Sequence, residues 1–406
     1  MIINIAKQIS ARGVNIASSF VCAIVIGNQF GSTAFAEYAF SISFINIFSA
    51  ICLLGLEISI SREYFSNSFN IKKKISGAII VAASFIALST LIFSFSAFFG
   101  KDFSSPPLLA AAFITAISFY FSNIIKYENS IYIFEFIRGG GINTVCLILI
   151  LATPISALEI ENHNLILYSS LLILVIALLA LATRNAQTKN KIITHVSTSS
   201  FVLNSISLSF TALLSSIIVS GDLILAKLAL PQNSYESMAL VTRISFLLAI
   251  PFIILNNNYS VEIARLKDEW PLAKRLLLNT VAAGLISITA IIFSNNYLLL
   301  FSRDYDKQAL APIIYLIIAS HALNIASSGL IPYLACTNRK RLNIAVLTTT
   351  VIAPIIYLLA QKMAHTSPEI KFSIAFYSTL FILKLLIILL ATLKPTKKDY
   401  SQNDNF

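Results

Sequence analysis

The sequence predicts an all-α integral membrane protein with about twelve transmembrane helices arranged as two six-helix lobes. Three observations predict it: apolar residues make up 57% of the chain, apolar runs of spanning length recur along it, and the basic residues between those runs alternate in density. Only 12% of residues are charged and the mean hydropathy is +0.82. Soluble domains carry about twice that charge, so this chain needs lipid as part of its solvent. The formal net charge of +11 raises the possibility of a nucleic-acid partner. The basic residues, however, sit in short clusters between apolar runs, and no basic and aromatic block forms a groove. They read as topology markers, and no nucleic acid is expected.

A hydrocarbon core about 30 Å thick needs roughly 20 apolar residues per helix. Runs of that kind fall near 13–30, 37–57, 76–99, 107–125, 138–155 and 164–183, and again near 201–221, 238–258, 276–294, 310–331, 342–361 and 372–393. The polar stretch 184–200, rich in Lys, Asn, Thr and Ser, reads as a cytoplasmic linker between an N-terminal lobe (1–183) and a C-terminal lobe (201–393). Residues 394–406 read as a polar cytoplasmic tail. The segment Met1–Arg12 leads directly into the first run without a small-residue cleavage site, so the first helix is expected to act as an uncleaved signal anchor.

The charges test this count. When alternate loops are assigned inward from the N-terminus, 21 of the 29 Lys and Arg residues fall inside and 6 outside, leaving Arg243 and Lys384 within helices. A missed or invented helix would scramble the alternation after it, so both termini are placed in the cytoplasm. The cysteines Cys22, Cys52, Cys146 and Cys336 lie in apolar stretches without metal-ligand spacing and read as small apolar residues. There is no phosphate-binding glycine loop, zinc-binding His pair or acidic metal cluster. Outward loops reach only about fifteen residues. Membrane-embedded polymerases and ligases of surface sugars usually carry a large catalytic outward loop, so a transporter without its own ATPase fits better. No catalytic residue, metal or cofactor is expected.

Polar residues inside the runs are the candidate site. In the first run Arg12 and Asn15 share a face with Gln8, Ser19, Cys22 and Gln29. The tenth carries Ser320, His321, Asn324 and Ser328, and the twelfth carries Ser373, Tyr377 and Lys384. For the serines, close helix packing in a bilayer explains the residue type without any ligand. Glu57 and Asp222 lie at helix ends, where a carboxylate meets the interface. A cation at mid-helix costs roughly 2.5–3.5 kcal/mol even on the lower insertion scales. Lys384 is too deep to snorkel, whereas Arg243 lies nearer the outer end and has Glu236 seven residues earlier as a structural partner. For His321 an interior, hydrogen-bonded histidine competes with a proton relay. Two unmatched cations inside a bundle suggest an anionic cargo.

The residues also resemble a family. Gly27-Asn28-Gln29-Phe30-Gly31, Ala36-Glu37-Tyr38-Ala39-Phe40, Leu54-Gly55-Leu56-Glu57 and Ser61-Arg62 are similar to the N-terminal helices of polysaccharide flippases. These belong to the multidrug/oligosaccharidyl-lipid/polysaccharide exporter superfamily. Gly221-Asp222 with Leu225 to Leu228, then Phe301 with Tyr305 and Ala309, and Ala335 to Lys340 resemble that family's later segments. Asn28-Gln29 and Cys336-Thr337 depart from its usual pattern. The stretch Ala36–Phe44 is weakly repeated at Tyr235–Phe246, as in transporters built from related halves.

The resemblance implies two lobes around a central cavity that opens alternately inward and outward. The cargo it implies is an undecaprenyl-diphosphate-linked oligosaccharide, flipped to the periplasmic leaflet of a bacterial inner membrane for O-antigen or a related polymer. A polysaccharide polymerase and a chain-length regulator are the implied partners. Arg12, Asn15, Arg243, His321, Asn324, Tyr377 and Lys384 are the expected cargo contacts. Two rivals remain: a multidrug and toxin extrusion transporter, which would want buried carboxylates, and a membrane-embedded polymerase or ligase.

Overall fold

In a bilayer every backbone N–H and C=O must be satisfied within the chain, which leaves a sequence this apolar with helices as its spanning form. The computed structural model describes residues 2–57, 59–60, 71–99, 105–127, 131–138, 141–152, 162–185, 220–266, 271–297, 307–337, 339–363 and 366–393, and among these there is no strand. The linker 184–200 and the seventh apolar run fall almost wholly outside them. The chain forms two compact units, Met1–Ile224 and Leu225–Phe406.

Unit 1 contains α1 (Ile2–Cys52), α2 (Ile71–Phe99), α3 (Pro106–Tyr127), α4 (Ile131–Arg138), α5 (Gly141–Ala152) and α6 (Asn162–Asn185). α1 holds two of the expected spans. Gly31, at φ +87°, breaks its helical geometry in the left-handed region that glycine adopts without a Cβ penalty. A second turn follows α1, where Leu54 (φ 43°) and Gly55 (φ 72°) both have positive φ. The core is aromatic: Phe40, Phe44 and Phe48 stack along α1 at 5.9 and 5.4 Å, and Phe48 continues through Phe85 of α2 (5.8 Å) to Phe113 of α3 (4.4 Å). Hydroxyls fix the register of neighbouring helices. Ser49 Oγ donates to the Ala112 carbonyl at 3.0 Å, and Thr115 Oγ1 donates to Ser170 Oγ at 3.3 Å.

Unit 2 contains α7 (Gln232–Leu266), α8 (Leu272–Tyr297), α9 (Lys307–Ala326), α10 (Leu330–Thr337), α11 (Arg339–Gln361) and α12 (Pro368–Thr392). It repeats the plan of unit 1. In each, a long helix (α3 or α9) is followed in chain order by a helix of 8 residues (α4 or α10), and two further helices complete the series. In each, the long helix packs against the last helix of its unit.

Among the described residues, seven stretches are long and apolar enough to cross a bilayer, and one of them, Gly13–Cys52, is 40 residues long and suffices for two crossings. The spanning stretches of α2, α8 and α11 bury only 17% of their residues, as expected of helices that face lipid. Three of their threonine hydroxyls are satisfied locally. Thr90 donates to the Ile86 carbonyl, Thr280 to Leu276 and Thr289 to Leu285, each one turn back, so a lipid-facing Thr leaves no donor without a partner.

The structure revises one expected span and describes another only in part. Within the run at 138–155, the described helix is α5, Gly141–Ala152, and residues 139–140 and 153–155 lie outside the described residues. The run at 310–331 is interrupted at 327–329, where Gly329 has φ +86°.

Candidate functional site

α12 carries a buried face made of Phe372, Ser373, Ala375, Tyr377, Leu380, Leu383, Lys384, Ile387 and Ala391. Lys384 lies two turns beyond Tyr377 on that face. It is only 1% exposed, so it does not reach an interface. Its Nζ has no hydrogen-bond partner among the described residues and rests 4.6 Å from the centroid of the Phe252 ring of α7. The ring's negative face replaces part of the hydration an ammonium loses on burial. No carboxylate is buried in unit 2 among the described residues, so Lys384 has no buried anionic side chain to neutralise it.

α9 packs beside α12 and supplies the remaining polar groups. His321 and Asn324 are fully buried. Asn324 Nδ2 lies 3.5 Å from His321 Nδ1, while Asn324 Oδ1 and Ser320 Oγ have no partner among the described residues. Tyr377 is buried one turn beyond Ser373, whose Oγ donates to Met238 Sδ of α7 at 3.4 Å. Of the expected contacts, His321 and Asn324 are buried together on α9, and Tyr377 and Lys384 share the buried face of α12, which packs against α9.

Asn15 belongs to unit 1. Its Nδ2 donates to the carbonyls of Glu135 (3.2 Å) and Phe136 (3.1 Å), and its Oδ1 accepts from Thr144 Oγ1 at 2.9 Å. Those carbonyls are among the last four of α4, which have no partner within their own helix. Asn15 therefore acts as a cap that ties α1 to α4 and α5. The side chains of Arg12 and Arg243 lie outside the described residues. Among the described residues no cluster of His, Cys, Asp and Glu could hold a metal ion.

Other polar constructions were not singled out from the sequence. In unit 1, Cys22 Sγ donates to Tyr38 Oη at 3.3 Å, and Tyr38 in turn donates to Asn143 Oδ1 at 2.6 Å. The Glu57 carboxylate pairs with both terminal nitrogens of Arg138, whose guanidinium lies 4.8 Å from the Phe119 ring. In unit 2, polar side chains gather at the α9–α10 break. The Gly329 N–H donates to Asn256 Oδ1 at 2.9 Å, and Asn279 donates to the Ser328 carbonyl at 3.1 Å. Tyr259 donates to Asn279 at 2.8 Å. An Asn inside an apolar run was the available signal for Asn143, Asn256 and Asn279. Asp222 and Glu135 are buried acids in unit 1, at 4% and 0% exposure.

No family model and no curated protein matches the sequence. Solved structures do match it. The chain aligns with the eukaryotic MATE transporter AtDTX14 over 99% of its own length and 98% of that chain, with a TM-score of 0.64 at 15% identity. It aligns with a single-residue variant of the Vibrio cholerae MATE transporter VcmN over 98% and 97%, with a TM-score of 0.68 at 14% identity. The bent form of VcmN aligns over 96% of both chains, with a TM-score of 0.63 at 14% identity. Likeness along nearly the full length of both chains, repeated across these structures, identifies the architecture: this chain has the fold of the MATE transporters.

Proposed function

We propose that the chain is a secondary transporter of the multidrug/oligosaccharidyl-lipid/polysaccharide exporter superfamily. Its cargo is an undecaprenyl-diphosphate-linked oligosaccharide, moved by alternating access from the cytoplasmic to the periplasmic leaflet of a bacterial inner membrane. The observation that carries the anionic cargo is Lys384, a cation enclosed in unit 2 with no buried carboxylate in that unit among the described residues. A diphosphate supplies the missing countercharge, and charge-assisted hydrogen bonds to phosphate are strong in a low-dielectric site. Ser, Asn and Tyr side chains suit sugar hydroxyls. Outward movement of an anion is also favoured by the membrane potential, by about 2.3 kcal/mol per charge per 100 mV.

A second reading has direct support. The solved structures that share the fold are named as MATE transporters, which favours multidrug and toxin extrusion more than flipping. The buried acids Glu135 and Asp222 of unit 1 are the kind of residue a cation exporter needs. Fold alone does not choose between cargoes.

Deletion of the gene separates the readings. The flippase reading expects lipid-linked repeat units to accumulate in the inner leaflet and surface polymer to disappear, with drug tolerance unchanged. Sensitivity to cationic dyes with normal surface polymer would replace it with the extrusion reading.

A further inference from the structure

A seam of polar side chains runs through unit 2 from a partly exposed ion pair to the α9–α10 break. On α7, Asn256, Tyr259 and Glu262 are spaced three residues apart along one ridge of the helix, and on α8, Arg275 and Asn279 lie one turn apart. Arg275 Nη2 donates to Glu262 Oε1 at 2.6 Å, with the two side chains 18% and 21% exposed. The Arg275 guanidinium carbon lies 5.4 Å from the centroid of the Tyr259 ring. Tyr259 is fully buried and donates its hydroxyl to Asn279 Oδ1 at 2.8 Å, and Asn279 Nδ2 donates to the Ser328 carbonyl at 3.1 Å. Gly329, the next residue, has φ +86° and gives its N–H to Asn256.

Each link sets the next. The Glu262 carboxylate fixes the guanidinium, and the guanidinium is attracted to the face of the Tyr259 ring. The ring's position decides where its hydroxyl points. Because Asn279 Oδ1 accepts that hydroxyl, the amide must present its NH₂ group to the broken backbone. The Ser328 carbonyl is a group that a break in a helix frees, and in a bilayer it needs a donor from within the protein. Tyr259 and Asn279 are fully buried, whereas the ion pair is exposed enough to exchange partners.

We propose that the Glu262–Arg275 pair is a latch on the α9–α10 break. While the pair is closed it holds Tyr259 and, through Asn279, keeps the Ser328 carbonyl bound. When it opens, that carbonyl loses its fixed donor and α10 is released to turn about Gly329, the kind of element-terminal residue that absorbs a hinge rotation. α10 packs against α7, α11 and α12, so its rotation reaches the helix that carries Lys384. The latch works in the same way whichever cargo is carried.

The test is hydrogen–deuterium exchange of the backbone amides 328–337 in the full chain in neutral detergent, with the amides of α12 as the internal comparison. Local opening shows as faster exchange confined to the segment that opens. Tyr259→Phe keeps the ring and removes the hydroxyl, so exchange at 328–337 should rise about tenfold, as for loss of a buried hydrogen bond. Arg275→Gln should raise it about threefold, as for loss of a partly exposed ion pair. The decisive result is the combination: in a Tyr259→Phe background, Arg275→Gln should add nothing, because the link from the pair to Asn279 is already cut. Should Arg275→Gln fail to accumulate, Glu262→Gln breaks the same pair and decides.

An equal rise from Arg275→Gln with and without the Tyr259 hydroxyl overturns the latch, since the pair would then act on α10 by another route. Unchanged exchange at 328–337 in both Arg275→Gln and Glu262→Gln overturns it as well. So does a rise shared equally by α12, which marks lower stability of the whole unit and no release at Gly329.

Discussion

The side-chain carbonyl of Asn256 on α7 accepts the backbone N–H of Gly329 at 2.9 Å, at the point where α9 ends and α10 begins. A broken helix frees backbone groups, and in a bilayer those groups must find partners inside the protein. Here the partners are amides: Asn256 takes the N–H of Gly329, and Asn279 of α8 donates to the Ser328 carbonyl. The break is therefore built into the bundle by residues from two other helices. Asn256→Leu should destabilise the protein by about 1–3 kcal/mol, the cost of leaving a buried donor unsatisfied. At Gly329, φ is +86°, so Gly329→Ala should cost about 1–2 kcal/mol and Gly329→Asn less. Thermal unfolding of the purified protein checks both, and an unchanged midpoint in Asn256→Leu would show that the break is held by other contacts.

Glu57 and Arg138 join the turn after α1 to the end of α4 through two hydrogen bonds, with side chains 25% and 21% exposed. Partial burial and the Phe119 ring place this pair above a typical surface salt bridge, so a double-mutant cycle of Glu57→Gln and Arg138→Gln should show coupling of about 1 kcal/mol. Arg138→Lys should recover only part of it, because an ammonium cannot present the paired N–H fork. Additive single-mutant effects would mean the pair contributes orientation without stability.

Gly77 of α2 faces Tyr120 of α3 so closely that a Cβ at position 77 would lie 2.7 Å from the ring carbons Cε2 and Cζ. Tyr120 is anchored there by donating its hydroxyl to the Lys74 carbonyl at 2.6 Å. Gly77→Ala should therefore force α2 away from α3 and lower stability by about 1–3 kcal/mol. Tyr120→Phe should not relieve the clash, since the ring carbons remain, whereas Tyr120→Leu should relieve part of it. Expression level and thermal midpoint of the single and double variants read this out.

The spans were legible in the sequence because hydropathy and length are local properties. Gly31, Pro106 and Pro368 sit at real helix boundaries, and the apolar runs follow them. The break before α10 was not legible by run length, since Leu330–Thr337 keeps the apolar character of its neighbours. The triplet Ser327-Ser328-Gly329 carried the signal instead. The candidate site divides in the same way. Lys384, His321 and Asn324 stand out because a polar residue in an apolar run is conspicuous by itself. Asn15 stands out equally, but its partners are carbonyls more than a hundred residues away, and residue type alone cannot separate a helix cap from a ligand contact. Phe252 gave no signal, being one aromatic residue among 29 Phe until Lys384 is seen over its ring.

The charge alternation predicts an orientation in the membrane. Alkaline phosphatase folds to an active form only outside the cytoplasm. Fusions after Gly100, His163 or Asn296 should be active, and fusions after Lys74 or Lys191 inactive. Gly100 directly follows the last residue of α2 in the sequence, Asn296 lies at the end of α8, and Lys74 lies at the start of α2. The reverse pattern at two of the sites would invert the proposed topology, and with it the direction in which the membrane potential favours an anionic cargo.

The ammonium of Lys384 and the ring of Phe252 make the last prediction. If the enclosed charge serves cargo, Lys384→Ala should reduce flipping while the protein still inserts at normal levels, and Lys384→Arg should retain more activity than Lys384→Ala because the charge is kept. Phe252→Leu keeps an apolar side chain but removes the quadrupole, so it should cost about 0.5–2 kcal/mol of stability beyond the change in packing. That cost should vanish when Lys384 is already Met, since no cation then remains to interact with the ring. Thermal midpoints of the two single variants and the double variant measure this coupling, and surface polymer in the same strains measures transport. Coupling without any loss of polymer in Lys384→Ala would make the pair a packing device of unit 2. Loss of polymer in Lys384→Ala with a normal midpoint would instead assign the charge to the cargo, because a packing role predicts that stability falls first.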